Sequence, residues 1–441
     1  MSALHVEVVQ KQNSRAHKDY IKVVVHQFVS NLAFVRPGES VPSRDLQQQP
    51  ELAEHVSAVT FCDVEHSTDV APTAVKLRYH VYRLDTLGAQ RDTMTDTTSG
   101  EEFSVADVWE LPSQEFHGLW ESLVYDSALK RDAVHLVECG LELSARGVDP
   151  HVVGCNRVLL LHGPPGTGKT SLCRALAQKL AVRLGTRFSR ALLVEINAHG
   201  LFSRWFGESG KQVARLFDRV HEAAASPRLL VCVLVDEVES LAHARRAASA
   251  GLEPSDAVRA VNSLLTQLDR LRRLPNVLVL TTSNVTGAID VAFADRADIK
   301  WQVGPPSARA AYKILHGCCG ELMARGAVAS RDMLVELHVL ESSKFTETER
   351  TASSLQVWEA ARSAAAAAMS ARALRRLPLL ARARLPPGSP PRLPAFLEAL
   401  EAALRDHVAG TEAFRRDEHP SVLQNDAQSS IGAQAEISFI K

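Results

Sequence analysis

Along the first hundred residues, apolar and polar positions alternate in short stretches or gather into brief β-branched runs. Examples are HVEVV (5–9), IKVVV (21–25) and KLRYHVY (76–82), set apart by polar, turn-rich pieces such as RPGES (36–40). Period-two alternation and β-branched runs predict strands, so this part reads as a mixed α+β domain with several of them. The polar, unpatterned TMTDTTSGEE (93–102) is its natural link to the next domain.

After Leu111 and Pro112 the pattern changes. Residues 158–161, 192–196, 229–235 and 277–280 form short runs, nearly all apolar and rich in Val and Leu. Such runs predict strands buried on both faces of a parallel sheet, and the helical patterns between them make a layered α/β domain. GPPS (304–307) breaks both helix and strand. Beyond it the chain reads as mostly helical. ARSAAAAAMSARALRR (361–376) has very high helix propensity, and PPGSPP (386–391) separates it from a last amphipathic helix near 395–407. The polar, weakly patterned stretch after Asp417 predicts a flexible tail. The expected organisation is a mixed α+β domain over 1–105, an α/β domain over 106–303, a helical domain over 304–407 and a tail over 408–441.

Composition narrows the function classes. The 441 residues are 46% hydrophobic and 23% charged, with 50 Lys+Arg against 51 Asp+Glu, a net charge of -1. That balance gives no electrostatic footprint for a dedicated nucleic-acid or membrane-surface binder. No apolar run approaches the roughly 20 residues that span a bilayer, and the N-terminus offers no continuous hydrophobic signal segment. The 7 cysteines are scattered without CxxC spacing, which predicts reduced intracellular thiols rather than a disulfide frame or zinc site.

The chemistry concentrates at the ends of the predicted parallel strands. Gly163-Pro164-Pro165-Gly166-Thr167-Gly168-Lys169-Thr170 matches GxxxxGK[ST], comes after the run at 158–161, and leads through Ser171 into a helical stretch. A polyphosphate needs converging backbone N–H groups, and glycines let the chain approach it closely. Lys169 supplies a charge to the β- and γ-phosphates, and the Thr170 hydroxyl can ligate Mg²⁺. The run 229–235 ends in Asp236-Glu237. Two carboxylates at a buried strand's tip beside a phosphate loop predict Asp236 holding Mg²⁺ through water and Glu237 polarising the attacking water. Asn284, closing TTSN (281–284), falls at a strand tip between those motifs and is placed to orient the lytic water.

These residues resemble the AAA+ ATPases, and more narrowly the pachytene checkpoint protein two family, also described as thyroid receptor-interacting protein thirteen. The likeness is carried by LLHGPPGTGKTSLCRALAQKL (160–180), LFSRWFGESGK (201–211), LVDEVESL (234–241), EPSDAVRAVNSLLTQLD (253–269), LTTSN (280–284) and IDVAFADRADIKWQVGPPS (289–307). LPSQEFHGLWESLVYDS (111–127) resembles the family's lead-in to the ATPase module. The resemblance implies an AAA+ fold with a P-loop large domain and a helical small domain. It implies ATP and Mg²⁺ as ligands, and Arg296 as an arginine finger reaching the neighbouring subunit's γ-phosphate. Arg372 matches the sensor-two arginine, although the family's usual Ser-Gly-Arg reads Ser-Ala-Arg here. Trp205 and Phe206 resemble the first pore loop, with a second expected in 243–254.

The implied function is a hexameric, ring-forming ATPase that remodels HORMA-domain proteins, with or without a HORMA-like adaptor, in meiotic chromosome-axis control and the spindle checkpoint. The implied location is nucleus and cytoplasm, associated with chromosomes in meiosis. The competing readings are a nucleic-acid-associated AAA+ loader, another AAA+ protein remodeller and a catalytically dead scaffold. Neutral charge and Trp-Phe in place of a basic hairpin weigh against the loader, so no direct sequence-specific nucleic-acid binding is expected. The intact Lys169, Asp236, Glu237, Asn284 and Arg296 weigh against the scaffold.

Overall fold

The computed structural model describes residues 3–62, 70–95, 102–149, 152–197, 209–240, 255–285, 289, 291–329 and 334–418. The chain divides into two compact units, Met1–Gly304 and Pro305–Lys441.

The first unit opens with a three-stranded sheet. β1 (Ala3–Gln10) lies between β2 (Val56–Cys62), to which it runs antiparallel, and β3 (Lys76–Tyr82), to which it runs parallel. Leu4, Val6 and Val8 of β1 point into a core with Val59 and Phe61 of β2 and the helix Lys18–Ser30. That helix corrects the strand reading of 21–25. Ile21, Val24, Val25 and Val29 are buried whereas Val23 is 55% exposed, the i, i+3, i+4, i+8 spacing of one helix face. The His17 ring caps the first turn by accepting from the Asp19 N–H. Burial periodicity over thirteen residues outweighs the β-preference of a five-residue run.

The second sheet has seven strands in the order β10-β6-β9-β8-β7-β5-β4. Their ranges are β4 (Gln90–Thr95), β5 (Glu102–Leu111), β6 (Val158–His162), β7 (Arg190–Asn197), β8 (Leu229–Asp236), β9 (Val277–Ser283) and β10 (Ile299–Gln302). β6 to β10 are mutually parallel, and β5 and β4 add antiparallel at the β7 edge. β8 shows why these strands read as unbroken apolar runs. Its Val231, Val233 and Val235 face one layer with Leu216, Phe217 and Leu264. Leu230, Cys232 and Leu234 face the other, with Leu172, Leu176 and Leu141. Both faces are covered by helices, so no position of the strand interior can be polar.

Two expected boundaries change. The break at 105/106 falls inside β5, and residues 93–95, read as linker, form the end of β4, which pairs with β5. Thr93, Met94 and Thr95 are therefore part of the edge hairpin of the seven-stranded sheet. The reading failed because a polar edge strand has the composition of a loop.

The second unit is helical: Ala308–Ala324, Leu337–Ser342, Ala352–Ala366, Ala371–Ala383 and Leu393–Glu418. The segment 361–376 is two helices, not one. Ala368 takes φ 49°, and Ser370 restarts the helix by accepting the Ala373 N–H on its hydroxyl at 3.2 Å. The tail expected from 408 begins inside the last helix, which runs to Glu418; residues 419–441 lie outside the described residues.

Candidate nucleotide site

The sheet order puts β9 between β6 and β8, so the carboxyl ends of three adjacent strands carry the three sequence motifs side by side. This is where a doubly wound sheet holds its ligands.

The phosphate loop connects β6 to the helix Lys169–Arg183. Its glycines are required by geometry. Gly163 has φ 142°, and a Cβ there would lie 2.3 Å from the Val303 carbonyl oxygen. Gly168 has φ 93°, and a Cβ would lie 2.9 Å from the Tyr125 hydroxyl, which donates to the Gly168 carbonyl at 3.2 Å. Lys169 is 4% exposed and donates to the Gly163 and Pro164 carbonyls at 2.8 Å each. The Thr167 hydroxyl donates to the Pro164 carbonyl at 3.0 Å. A buried ammonium inside a glycine turn at a helix N-terminus is the donor set a polyphosphate requires.

The Thr170 hydroxyl donates to Asp236 Oδ1 at 2.9 Å. This pairing of a hydroxyl with a carboxylate at the loop's end suits a hard divalent cation that takes oxygen ligands, so the residues fit Mg²⁺. Thr282 of β9 donates to the same Asp236 oxygen. Its hydroxyl also accepts the Glu237 N–H at 3.3 Å, while the Thr282 carbonyl accepts the Val238 N–H at 3.0 Å. Glu237 sits at φ 60°, a left-handed conformation unfavourable for a residue with a Cβ. Thr282 thus holds the backbone that aims the two carboxylates. Asn284 reaches Glu237 Oε1 with its amide at 3.5 Å, and its own N–H donates to Glu239 Oε1 at 3.1 Å.

Behind the carboxylates, Cys173 is fully buried. Its thiol is pushed well above the ordinary range, first by burial and then by Asp236 and Glu195. It stays a neutral packing group. Arg174 clamps Glu195 through two hydrogen bonds of 2.8 and 2.6 Å, anchoring the same helix to β7.

Arg296 lies just after the short helix Val291–Ala294 and precedes β10, the strand at one edge of the sheet. Its guanidinium is held by Asp269 through bonds of 3.0 and 2.8 Å and by the Ala292 carbonyl at 2.6 Å. Close by, Asp298 caps the start of β6, accepting the Asn156 and Val158 N–H groups at 2.9 and 3.1 Å. Arg372 is exposed in the first turn of its helix in the second unit. Trp205, Phe206 and the second loop at 243–254 lie outside the described residues.

Sequence reasoning did not single out Tyr125, Thr282, Glu239 or Asp269. Thr282 had a visible signal, since it precedes Asn284 by two residues on the same strand tip. Asp269 had none, because its partner is 27 residues away.

Known proteins resemble this chain along nearly all its length. Residues 159–305 match the family "ATPase family associated with various cellular activities (AAA)", residues 307–408 the TRIP13-like AAA+ ATPase lid C-terminal domain, and residues 1–86 the TRIP13 N-terminal domain. The chain is 43% identical over 408 residues to the rat pachytene checkpoint protein 2 homolog, covering 91% of this chain and 92% of that protein. Against the human homolog it is 42% identical over 405 residues, with coverage of 91% and 92%. The solved structure of C. elegans PCH-2 superposes with a TM-score of 0.75 at 32% identity, over 93% of this chain and 100% of that one. An E. coli Trip13 solved in complex with a HORMA protein and CdnC shares the fold, with a TM-score of 0.51 at 19% identity over 67% and 94% of the two chains. A phosphate loop, an Asp-Glu strand tip and an asparagine strand tip on one sheet, within a chain matched along nearly all its length, identify this protein as an ATPase belonging to the pachytene checkpoint protein 2 (TRIP13) family of AAA+ proteins.

Proposed function

We propose that this ATPase assembles into a hexameric ring and uses ATP hydrolysis to pull HORMA-domain proteins partly open, acting in meiotic chromosome-axis control and checkpoint signalling. The observation that carries the proposal is the joining of Thr170, Asp236, Thr282, Glu237 and Asn284 at three neighbouring strand tips. The N-terminal match to the TRIP13 domain and the Trip13 complex with a HORMA protein support the choice of substrate.

In this reading Gly163 to Ser171 wrap the phosphates and Lys169 turns its ammonium from the loop carbonyls to the β- and γ-oxygens. Thr170, with Asp236 through water, would hold Mg²⁺, which would supply positive charge to offset that of the phosphate oxygens. Glu237 orients and polarises the attacking water, and Asn284 fixes the Glu237 carboxylate from the next strand. Arg296 completes a neighbouring subunit's site in trans, and Arg372 reports nucleotide state to the small domain. Trp205 and Phe206 grip an extended substrate segment by apolar contact. The N-terminal domain recruits the substrate, directly or through an adaptor. The protein works in nucleus and cytoplasm.

Two variants test the site. Lys169→Ala abolishes nucleotide binding, whereas Glu237→Gln retains it and loses turnover. Equilibrium binding of a fluorescent ATP analogue, beside phosphate release, reads both. Near wild-type turnover in Glu237→Gln would remove Glu237 from its role.

A further inference from the structure

The helix that begins at the phosphate loop ends in a second charged cluster with no part in phosphate chemistry. Lys179 and Arg183, one turn apart near its C-terminus, are 2% and 7% exposed. Both reach Glu7 of β1, itself 5% exposed: Lys179 at 2.8 Å and Arg183 at 3.2 Å. Lys179 also donates to Cys62 Sγ of β2 at 3.2 Å and to Glu121 at 3.5 Å, and stands 5.6 Å from the centre of the Trp120 ring. Ligand atoms of Glu7, Cys62 and Glu121 lie within 4.8 Å of one another, the spacing of a metal site. The Lys179 ammonium bonds to all three, so the cation these groups would attract is part of the chain.

The charges here are fixed. Burial opposes ionisation of both Glu7 and Lys179, yet each holds the other charged: Glu7 lies below the carboxylate range, with Arg183 contributing, and Lys179 lies above the lysine range. Burial pushes the Cys62 thiol up to about 11. Beside Glu7, His5 and His80 stack at 5.1 Å with a 2.9 Å nitrogen–nitrogen contact. Burial first, then Arg183, lowers His5 to about 3.

We propose that this cluster is a clamp that makes docking of the N-terminal sheet and binding of nucleotide mutually dependent, with Glu7 a positioning residue acting through the phosphate-loop helix. The reading rests on nucleotide binding at that loop. Undocking the sheet would break the ion pairs that Glu7 makes with two buried cations, so the contact has a made state and a broken state and little between. The connecting helix is one rigid element of 15 residues, about 22 Å at ~1.5 Å per residue. It is buried along most of its length. Fixing its C-terminal end therefore fixes the N–H groups at its N-terminal end, and a preorganised loop binds anions more tightly. By linkage, whatever factor docking adds to nucleotide affinity, nucleotide adds to docking.

The test uses the full chain, with ADP affinity and hydrogen exchange of the β1 and β3 amides measured with and without ADP. In wild type, ADP slows exchange in both strands. Glu7→Gln exchanges faster there, binds ADP at least about fivefold more weakly, and loses the effect of ADP on the sheet; Glu7→Asp, which keeps the charge, retains most of both. ADP affinity in folded Glu7→Gln within twofold of wild type would overturn the clamp. So would an N-terminal sheet in wild type whose exchange ignores ADP, a comparison that decides alone if Glu7→Gln fails to fold. Wild type that binds no ADP at all would instead overturn the nucleotide site itself.

Discussion

Thr282→Val removes one hydroxyl from a fully buried position and leaves the shape of the side chain almost unchanged. That hydroxyl donates to Asp236 and accepts the Glu237 N–H, and Thr282 is 2% exposed. A hydrogen bond to a charged group contributes about 1.5–3 kcal/mol, and a donor left unpaired costs about 1–3 kcal/mol. Glu237 lies at the strand tip and is only half-buried, so water recovers part of the second term and the expected loss is about 2–4 kcal/mol. For a unit of this size that lowers Tm by roughly 3–6 °C. The effect on rate has a separate origin. Glu237 is held at φ 60°, a conformation costing about 1–3 kcal/mol when nothing supports it. Release of about 2 kcal/mol of positioning at the transition state slows turnover roughly 30-fold, at ~1.4 kcal/mol per factor of ten. Phosphate contacts are untouched, so affinity for an ATP analogue stays within about threefold. Thermal denaturation, analogue binding and single-turnover hydrolysis read the three quantities, with Thr282→Ser as the control that keeps the hydroxyl. Turnover within twofold of wild type would refute the argument that Thr282 positions the Asp236 and Glu237 carboxylates for hydrolysis.

The proposed assembly has two further expected outcomes. Arg296→Ala and Glu237→Gln subunits, each inactive alone, recover part of the activity when mixed, because some interfaces then pair an intact Glu237 with an intact Arg296; no recovery in rings whose mixed composition is verified by native mass spectrometry would exclude a finger acting in trans. Trp205→Ala keeps nucleotide binding and measurable hydrolysis but fails to open a HORMA-domain substrate, and full conversion by this variant would remove Trp205 from substrate contact.

The nucleotide site was legible because its parts are local. Each motif ends one apolar run, and a parallel sheet brings strand ends together whatever lies between, so 163–170, Asp236 and Asn284 could be placed beside one another from sequence alone. Features that depend on distant partners were not legible. Asp269 on Arg296, and Glu7 on Lys179 and Arg183, join elements separated by 27 to 176 residues, and an isolated Glu in an alternating strand reads as an outward-facing position. Local signals also misled where two preferences competed. IKVVV has the composition of a strand, yet its buried positions match a helix over the longer span Lys18–Ser30. The alanine-rich run at 361–376 hides a break, although Ser370, a favoured N-cap residue three positions before Ala373, was its available sign. The polar hairpin of β4 and β5 gave no apolar run to announce membership of the large sheet.

The central claim, that hydrolysis at this site drives remodelling of a HORMA-domain protein, is tested most directly by one comparison. A purified HORMA-domain protein in its closed, partner-bound form is mixed with wild type or with Glu237→Gln, at equal ring concentration and saturating ATP, and its conversion to the open form is followed together with phosphate release. The account predicts conversion by wild type that stops when ATP is exhausted, and none by Glu237→Gln despite bound nucleotide. Wild type that hydrolyses ATP while leaving every closed HORMA-domain protein unchanged, or Glu237→Gln that converts it as fast as wild type, would contradict it.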